Sequence, residues 1–340
     1  MLLMVKTTQV AADRAYDQTK TVLPVEVARG IYIENPPSAQ ALKLMHLLIA
    51  RAGGRMADET QHEMRMSDLK HIEGMRNHDR ASLRALFTQL RAAVMVYDDT
   101  EAQEEVIGGF MDEIRLDYRQ EVADTLVVKW WFGRTFRRIA AESNHWAILD
   151  RQTVFALSSK YSILLFQHIA SLANLDRIDS KSFTLPELRA VLGIEDGKLS
   201  RFSNLNQRVF QPAIAEINQL SRLKLKATPR KTGRTVTKVE ISWNVKPDPT
   251  DAKQELARPK VGRKARRDGT AETPPAVFPE TGSITYSPRW LDLKRQAGCN
   301  MDNTLIAANF RRFLAERGIA RDAANIEKLF SAYCEKTGKV

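Results

Sequence analysis

Asn204, Gln207, Arg208 and Gln211 fall on one side of a helical wheel advanced by about 100° per residue, with Asn218 and Arg222 further along it. The opposite side carries Leu205, Val209, Ala213, Ile217 and Leu220, so the segment reads as one long amphipathic helix that Ser203 can cap. Carboxamide and guanidinium groups make paired hydrogen bonds to the edges of adenine and guanine, so this face has the chemistry to read bases in a DNA major groove. Lys198 and Arg201 stand in the turn just before it, where phosphate contacts would fix the helix's orientation. A merely hydrated helix face is the competing reading, and the next segment weighs against it. From Arg222 to Lys238 there are seven basic residues and no acid: Arg222, Lys224, Lys226, Arg230, Lys231, Arg234 and Lys238. An acid-free basic hairpin suits a phosphate backbone.

A second helix, from about Asp79 to Ala93, carries Arg80, Arg84 and Arg91 on one flank. Opposite its apolar stripe stand Ala81, Ala85, Thr88 and Ala92, small side chains that allow close approach to a backbone but read few base edges. Alanines are also simply good helix formers. This helix is expected to position DNA, and the later one to read it.

The residues that catalysis would need are missing. The loop Gly193-Ile194-Glu195-Asp196-Gly197-Lys198-Leu199 is one residue short of a phosphate-binding loop and ends in Leu where a magnesium-binding hydroxyl belongs. The six histidines form no His-x-His pair, which removes the metal motif of rolling-circle nickases. Cys299 and Cys334 lie far apart without histidine companions, so neither a zinc site nor a disulfide framework is expected, and a reducing cytoplasm is the compartment inferred. Asp98, Asp99, Glu101, Glu104 and Glu105 read as a solvated loop, and Lys129–Arg134, with its three aromatics, as alternating strand burial. Binding without catalysis, cofactor or metal is the expectation.

Net charge is +11, and the stretches 222–238 and 253–267 together hold +13, so the remainder nets −2. The basic excess is concentrated rather than spread as a solubilising bias. No apolar run reaches the roughly 18 residues of a membrane span, and Lys6 ends the apolar start before any signal-peptide core develops.

The elements that must carry these faces recur in the same order twice. Residues 1–22 read as a loose arm and Val27–Glu34 as a short strand. Ser38 caps a helix bearing Leu42, Met45, Leu48 and Ile49, stopped by Gly53-Gly54. A short helix over Ser67–Ile72, a turn at Gly74, the Asp79–Ala93 helix and strands at Val94–Tyr97, Val106–Leu116 and Thr125–Phe132 come after it. In the second pass, Ser158 or Ser159 caps a helix with Ile163, Leu164, Phe166 and Ile169. Thr184-Leu185-Pro186-Glu187 opens a short helix, and the long helix comes next. Strands at Leu223–Thr228 and Thr235–Trp243 then flank a tip at Pro229–Gly233. The fold class expected is α+β: two tandem winged-helix domains, 23–155 and 156–247, after the arm 1–22. A flexible basic linker, 248–283, leads to a helical module, 284–340, with Trp290, Ile306, Phe310, Phe313, Ile326, Phe330 and Tyr333 as its core.

Three segments resemble the initiator proteins of iteron-containing, theta-replicating plasmids. They are Leu157–Phe166, Phe183–Ile194 and Arg201–Asn218, the last including its internal Pro212 and its Glu216-Ile217-Asn218 ending. Val27–Ile49 is similar to that family's opening strand and helix. Phe166-Gln167 departs from a more usual Tyr-Glu pair. The resemblance implies binding of double-stranded origin repeats as monomers, opening of adjacent AT-rich DNA, and recruitment of the host replication initiator and replicative helicase. It also implies dimers that repress their own promoter at an operator, in a monomer–dimer equilibrium away from any membrane. A winged-helix transcriptional repressor with no replication role is the alternative; tandem repeats beside an AT-rich tract would separate the two. The C-terminal module matches no part of that family, and single-stranded DNA or a replication partner are its candidate ligands.

Overall fold

Side chains that accept the first unpaired backbone N–H groups set where the helices start. Ser38 accepts from Ala41, Asp79 from Ser82, Asp150 from Thr153 and Asp302 from Thr304 and Leu305. Thr184 and Glu187 form a reciprocal capping box. The computed structural model describes every residue except 1–5, 16, 30–31, 35, 70–78, 100–101, 120–125, 174, 176–177, 196, 270–276, 324 and 338–340. The chain forms two compact units, 1–263 and 264–340.

The first half of unit one runs α1 Thr7–Asp13, β1 Lys20–Pro24, α2 Val25–Arg29, β2 Tyr32–Glu34, α3 Ala39–Ala52, β3 His62–Arg65, α4 Met66–Leu69 and α5 Arg80–Ala92. It continues β4 Val94–Asp99, β5 Glu104–Gly109, β6 Met111–Asp117, β7 Val127–Phe132, α6 Arg134–Glu142, β8 Trp146–Asp150 and α7 Arg151–Ala156. The second half runs α8 Lys160–Ala173, β9 Ser180–Thr184, α9 Leu185–Val191, α10 Phe202–Leu205, a π-helical turn Asn206–Phe210, α11 Gln211–Leu220, β10 Leu223–Thr232, β11 Thr235–Val245 and α12 Thr250–Ala257. α13, Arg263–Arg267, spans the unit boundary. Unit two holds α14 Pro288–Gln296, α15 Asn303–Glu316 and α16 Ile326–Thr337.

Both halves are winged helices. The antiparallel sheet β10-β11-β9 has the same connectivity as β6-β7-β3, and each surrounds the same helix–turn–helix order. The first half adds an inserted hairpin, β4–β5, which pairs with β2. The single strand expected over Val106–Leu116 is therefore two strands in different sheets. The chain changes sheet beside Gly108 and Gly109, where backbone approaches closely. A Cβ on Gly108 would lie 1.8 Å from Thr135 Oγ1, and one on Gly133 would lie 2.3 Å from the Gly109 carbonyl oxygen. The Gly74 turn and the end of the short helix at Ile72 lie outside the described residues.

Residues 6–22 are not a loose arm. Thr7 Oγ1 donates to the carbonyls of Ser143 (3.1 Å) and His145 (3.0 Å), Val10 and Ala11 are buried, and β1 pairs with β8. These anchors are more than 100 residues away in sequence, so no local period shows them. Nor is Val27–Glu34 one strand, because Val27–Arg29 close α2. α2 packs on α8 at the junction of the two winged helices, where Gln167 Nε2 donates to the Val27 carbonyl (3.2 Å). His46 Nε2 lies 3.3 Å from Gln167 Oε1, and Arg29 Nε donates to Ser171 Oγ (3.2 Å). Burial pushes the imidazole of His46 down to about 4 and that of His168 down to about 3, so both are neutral here.

The expected linker is folded at both ends. At its start, α12 buries Ala252 and Glu255 against the preceding domain. Near its end, Phe278 is the centre of the second unit's core, with ring centroids 4.8 Å from Trp290, 4.8 Å from Phe310 and 5.2 Å from Phe330. Its N–H donates to the Arg321 carbonyl (2.9 Å), and Arg311 holds the carbonyls of Pro279 (3.2 Å) and Gly282 (2.9 Å). A lone Phe between prolines has no periodicity to announce it. No helix of the described residues is long and apolar enough to cross a membrane.

Two outcomes are expected. A histidine whose folded pKa is lowered contributes stability that is full above its unfolded value of about 6.5 and is lost as pH falls towards 4. His46→Leu should therefore shrink the acid-side fall in unfolding free energy, read from urea titrations between pH 6.5 and 4, by up to about 3 kcal/mol. An unchanged pH profile would show that His46 is not held neutral. Phe278→Ala should cost unit two about 3–5 kcal/mol. Calorimetry of the full chain should show that unit's transition fall while DNA-free unit one melts as before.

Candidate nucleic-acid interface

Arg189, in the last turn of α9, organises the turn before the long helix. Its guanidinium donates to the carbonyls of Leu199 (3.0 Å), Lys198 (2.7 Å) and Glu195 (3.2 Å). The turn needs left-handed backbone at Gly193, Gly197 and Leu199, and such a conformation is strained for leucine unless something holds it. Lys198 is engaged here in an ion pair with Glu195 at 2.6 Å. Arg201, which is exposed, takes the N-cap position without a side-chain bond. The helix thus starts at Phe202, one residue before Ser203, the cap expected from sequence.

Pro212 decides the shape of the long helix. A proline has no N–H to give the carbonyl four residues back, and its ring crowds that carbonyl. The helix responds with the π-turn over Asn206–Phe210: Gln211 N–H donates to the Asn206 carbonyl, five residues back. Gln211 Nε2 also bonds Asn206 Oδ1 (3.2 Å), bracing the turn. Asn204, Gln207, Arg208, Gln211 and Pro212 are exposed, whereas none of residues 213–221 is. The open face is therefore the N-terminal half alone.

The C-terminal half is structural. Glu216 Oε1 accepts from Ser158 N (2.9 Å) and Ser158 Oγ (2.6 Å), tying α11 to the start of α8, which Ser159 caps at Tyr161 N (3.2 Å). Asn218 accepts from Leu225 N (2.6 Å) and donates to Leu225 O (3.0 Å), which aligns β10. Asn218, placed on the reading face by the sequence wheel, instead holds the wing. Lys246 Nζ bonds the Ser221 carbonyl (2.8 Å) at the helix's negative end. Arg222 lies just beyond the helix, exposed, its carbonyl accepting from Lys246 N (2.8 Å).

The wing is longer than expected. β10 and β11 run to Thr232 and Thr235, so the turn is Gly233-Arg234, with Gly233 at φ 62°, rather than a tip at Pro229–Gly233. Lys224, Lys226, Lys231, Arg234 and Lys238 are exposed. Arg230 is paired across the strands with Glu240 (Nε···Oε2 3.0 Å), so a hairpin acid-free from 222 to 238 gains an acid from two residues further on.

In the first domain the three arginines are brought to one cleft between α5 and β6, lined also by Thr88, Asp112 and Glu113. Arg80 lies over the Tyr118 ring at 4.3 Å, and Arg91 Nε donates to the Asp112 carbonyl (3.1 Å). Arg84 is exposed. Sequence reasoning missed Arg189 and Glu216. A basic residue in a helix's last turn was the available signal for the first, and only the Glu-Ile-Asn motif marked the second.

The family model described as "Initiator Replication protein, WH1" matches residues 31–170, and that described as "Initiator Rep protein, WH2" matches residues 184–243. Among solved structures, the crystal structure of Pi initiator protein in complex with iteron DNA is 20% identical, covering 68% of this chain and 99% of that one at a TM-score of 0.48. Domains 2 and 3 of RctB are 9% identical, covering 60% of this chain and 80% of that one at a TM-score of 0.37. No curated protein matches. With both of its winged helices matched in order by the family's two models, the chain belongs to the initiator replication (Rep) protein family.

Proposed function

We propose that this initiator binds origin repeats in double-stranded DNA sequence-specifically, with the Asn204, Gln207 and Arg208 face in a major groove and the β10–β11 wing on phosphates. One observation carries the reading: the only open part of the long helix holds amides and an arginine, between a turn clamped by Arg189 and a wing with six exposed cations, one of them paired with Glu240. Gln211, braced on Asn206, supports that face. Lys198 and Arg201 flank its start, and Arg222 its end. Arg80, Arg84 and Arg91 give the first domain a backbone-positioning role, with Arg84 the contact and the other two shaping the cleft. Origin opening, recruitment of the host initiator and helicase, and a dimer that represses its own promoter belong to the same proposal. Family membership is their support. Footprinting on tandem repeats combined with plasmid establishment from the gene and its flanking DNA tests it. A repressor alone would footprint without sustaining a plasmid.

Arg208→Ala is expected to weaken repeat binding by about 1–3 kcal/mol and to relax preference at one or two base positions. Weaker binding with an unaltered preference would make Arg208 a phosphate contact. Replacing Lys231 and Arg234 with Ala should flatten the dependence of log affinity on log salt by roughly 0.9 per lost contact. Arg230→Ala should change it less, because Glu240 already neutralises that charge; equal slopes for all three single variants would refute this ranking.

A further inference from the structure

Residues 250–263 fold back onto the long helix and are held there by a buried arginine. Arg263, only 5% exposed, donates from Nη1 to the Ala156 carbonyl (3.1 Å) and from Nη2 to the Arg258 carbonyl (3.5 Å). Its Nε lies 3.8 Å from Glu255 Oε1, and its own carbonyl accepts from Gln219 Nε2 (3.0 Å). Glu255 also meets Arg258 at 3.6 Å, although the Arg258 side chain stays 56% exposed. The loop 258–262 is thus tethered at both ends, by α12 and by Arg263, and it turns at Gly262 with φ 79°. Lys260 is exposed at its middle.

The tether's position comes from helix geometry. Gln219 is seven residues beyond Pro212, about 20° short of two turns, so it lies on the same side of α11 and about 10 Å further along. Asn218 stands in the same relation to Gln211. The open face that begins at Asn204 therefore runs into two walls: Asn218 against β10 of the wing, and Gln219 against the tethered segment. With the N-terminal half of such a helix in a major groove, its far end emerges beside the strands that border the groove. Asn218 and Gln219 are about 100° apart around the helix, so the wing and the loop flank that exit at neighbouring positions.

Building on the reading-helix assignment above, we propose that the loop 258–262 is a second phosphate-binding arm, in which Arg258 and Lys260 contact the sugar–phosphate backbone of duplex DNA flanking the repeat. Burying Glu255 against Arg263 leaves the loop's outward charge positive.

The test uses the full chain and a duplex carrying one bound repeat, with flanks either a full turn long or trimmed to the repeat. On the long duplex, Lys260→Ala should lower the slope of log affinity against log salt by about 0.9, and the Arg258→Ala/Lys260→Ala pair by up to twice that. Base preference should not change, and the trimmed duplex should erase the difference from the unaltered protein. Lys260 is exposed in a loop, so its replacement does not threaten the fold. Unchanged slopes in both variants, beside an Arg208→Ala protein that does lose preference, overturn the arm alone. A changed base preference in Lys260→Ala also overturns it. If the unaltered protein selects no repeat, the reading helix fails first and the arm falls with it.

Discussion

Glu216 places a carboxylate at 4% exposure and offers it two donors of one residue, the N–H and hydroxyl of Ser158. Losing both donors would leave a buried carboxylate without compensation, which costs far more than a surface contact yields. The bond matters because it fixes the rotation of α11 against α8, and with it the aim of every exposed side chain in the helix's first half. Asn218 and Gln219 add two further fixed points, one to the wing and one to the segment beyond the sheet. A reading helix discriminates bases only if its side chains arrive with a set register, so the polar anchors of the closed half are what make the open half usable.

A buried amide joins the two winged helices at their contact. Gln167, 3% exposed, uses its amide N–H to donate to Val27 O and its carbonyl to accept from neutral His46, so both ends of the buried amide are paired. A glutamate here, as in the Tyr-Glu pair this family more often shows, would bury a carboxylate with one donor removed. The amide is thus compatible with an imidazole that burial keeps uncharged. His46 on α3 and Gln167 on α8 thus join the two helix–turn–helix motifs through groups that bear no net charge, beside the Arg29–Ser171 bond.

Charge read along the chain and charge presented in space are different quantities. Arg230 belongs to a basic run and Lys198 precedes the long helix, but both are matched, by Glu240 across a strand pair and by Glu195 within a turn. Lys231, Arg234 and Lys238 keep their exposure at the wing's far end. Exposed cations therefore run from Lys224 and Lys226 near the sheet's base to Lys231 and Arg234 at its tip, where a phosphate can replace water around an ammonium or guanidinium group.

Local physics makes several elements legible from residue order. Thr184, Pro186 and Glu187 announce a helix start because a capping box needs only four consecutive residues. The Leu83, Leu86, Phe87 and Leu90 stripe announces α5 because a helix repeats every 3.6 residues. The exposed Asn204, Gln207, Arg208 and Gln211 are recoverable for the same reason, as they precede the one irregular turn, lie within it or immediately close it. Beyond that turn the wheel loses phase, and it gives Asn218 the wrong partner. β9, with only Phe183 buried, shows no alternation and exists as a strand because β11 is beside it. Val10 beneath its distant neighbours, Phe278 among three aromatic rings and Arg263 against Ala156 are equally invisible in the order of residues. Each takes its role from a partner dozens to more than a hundred residues away, and only closure of the chain brings that partner within bonding distance.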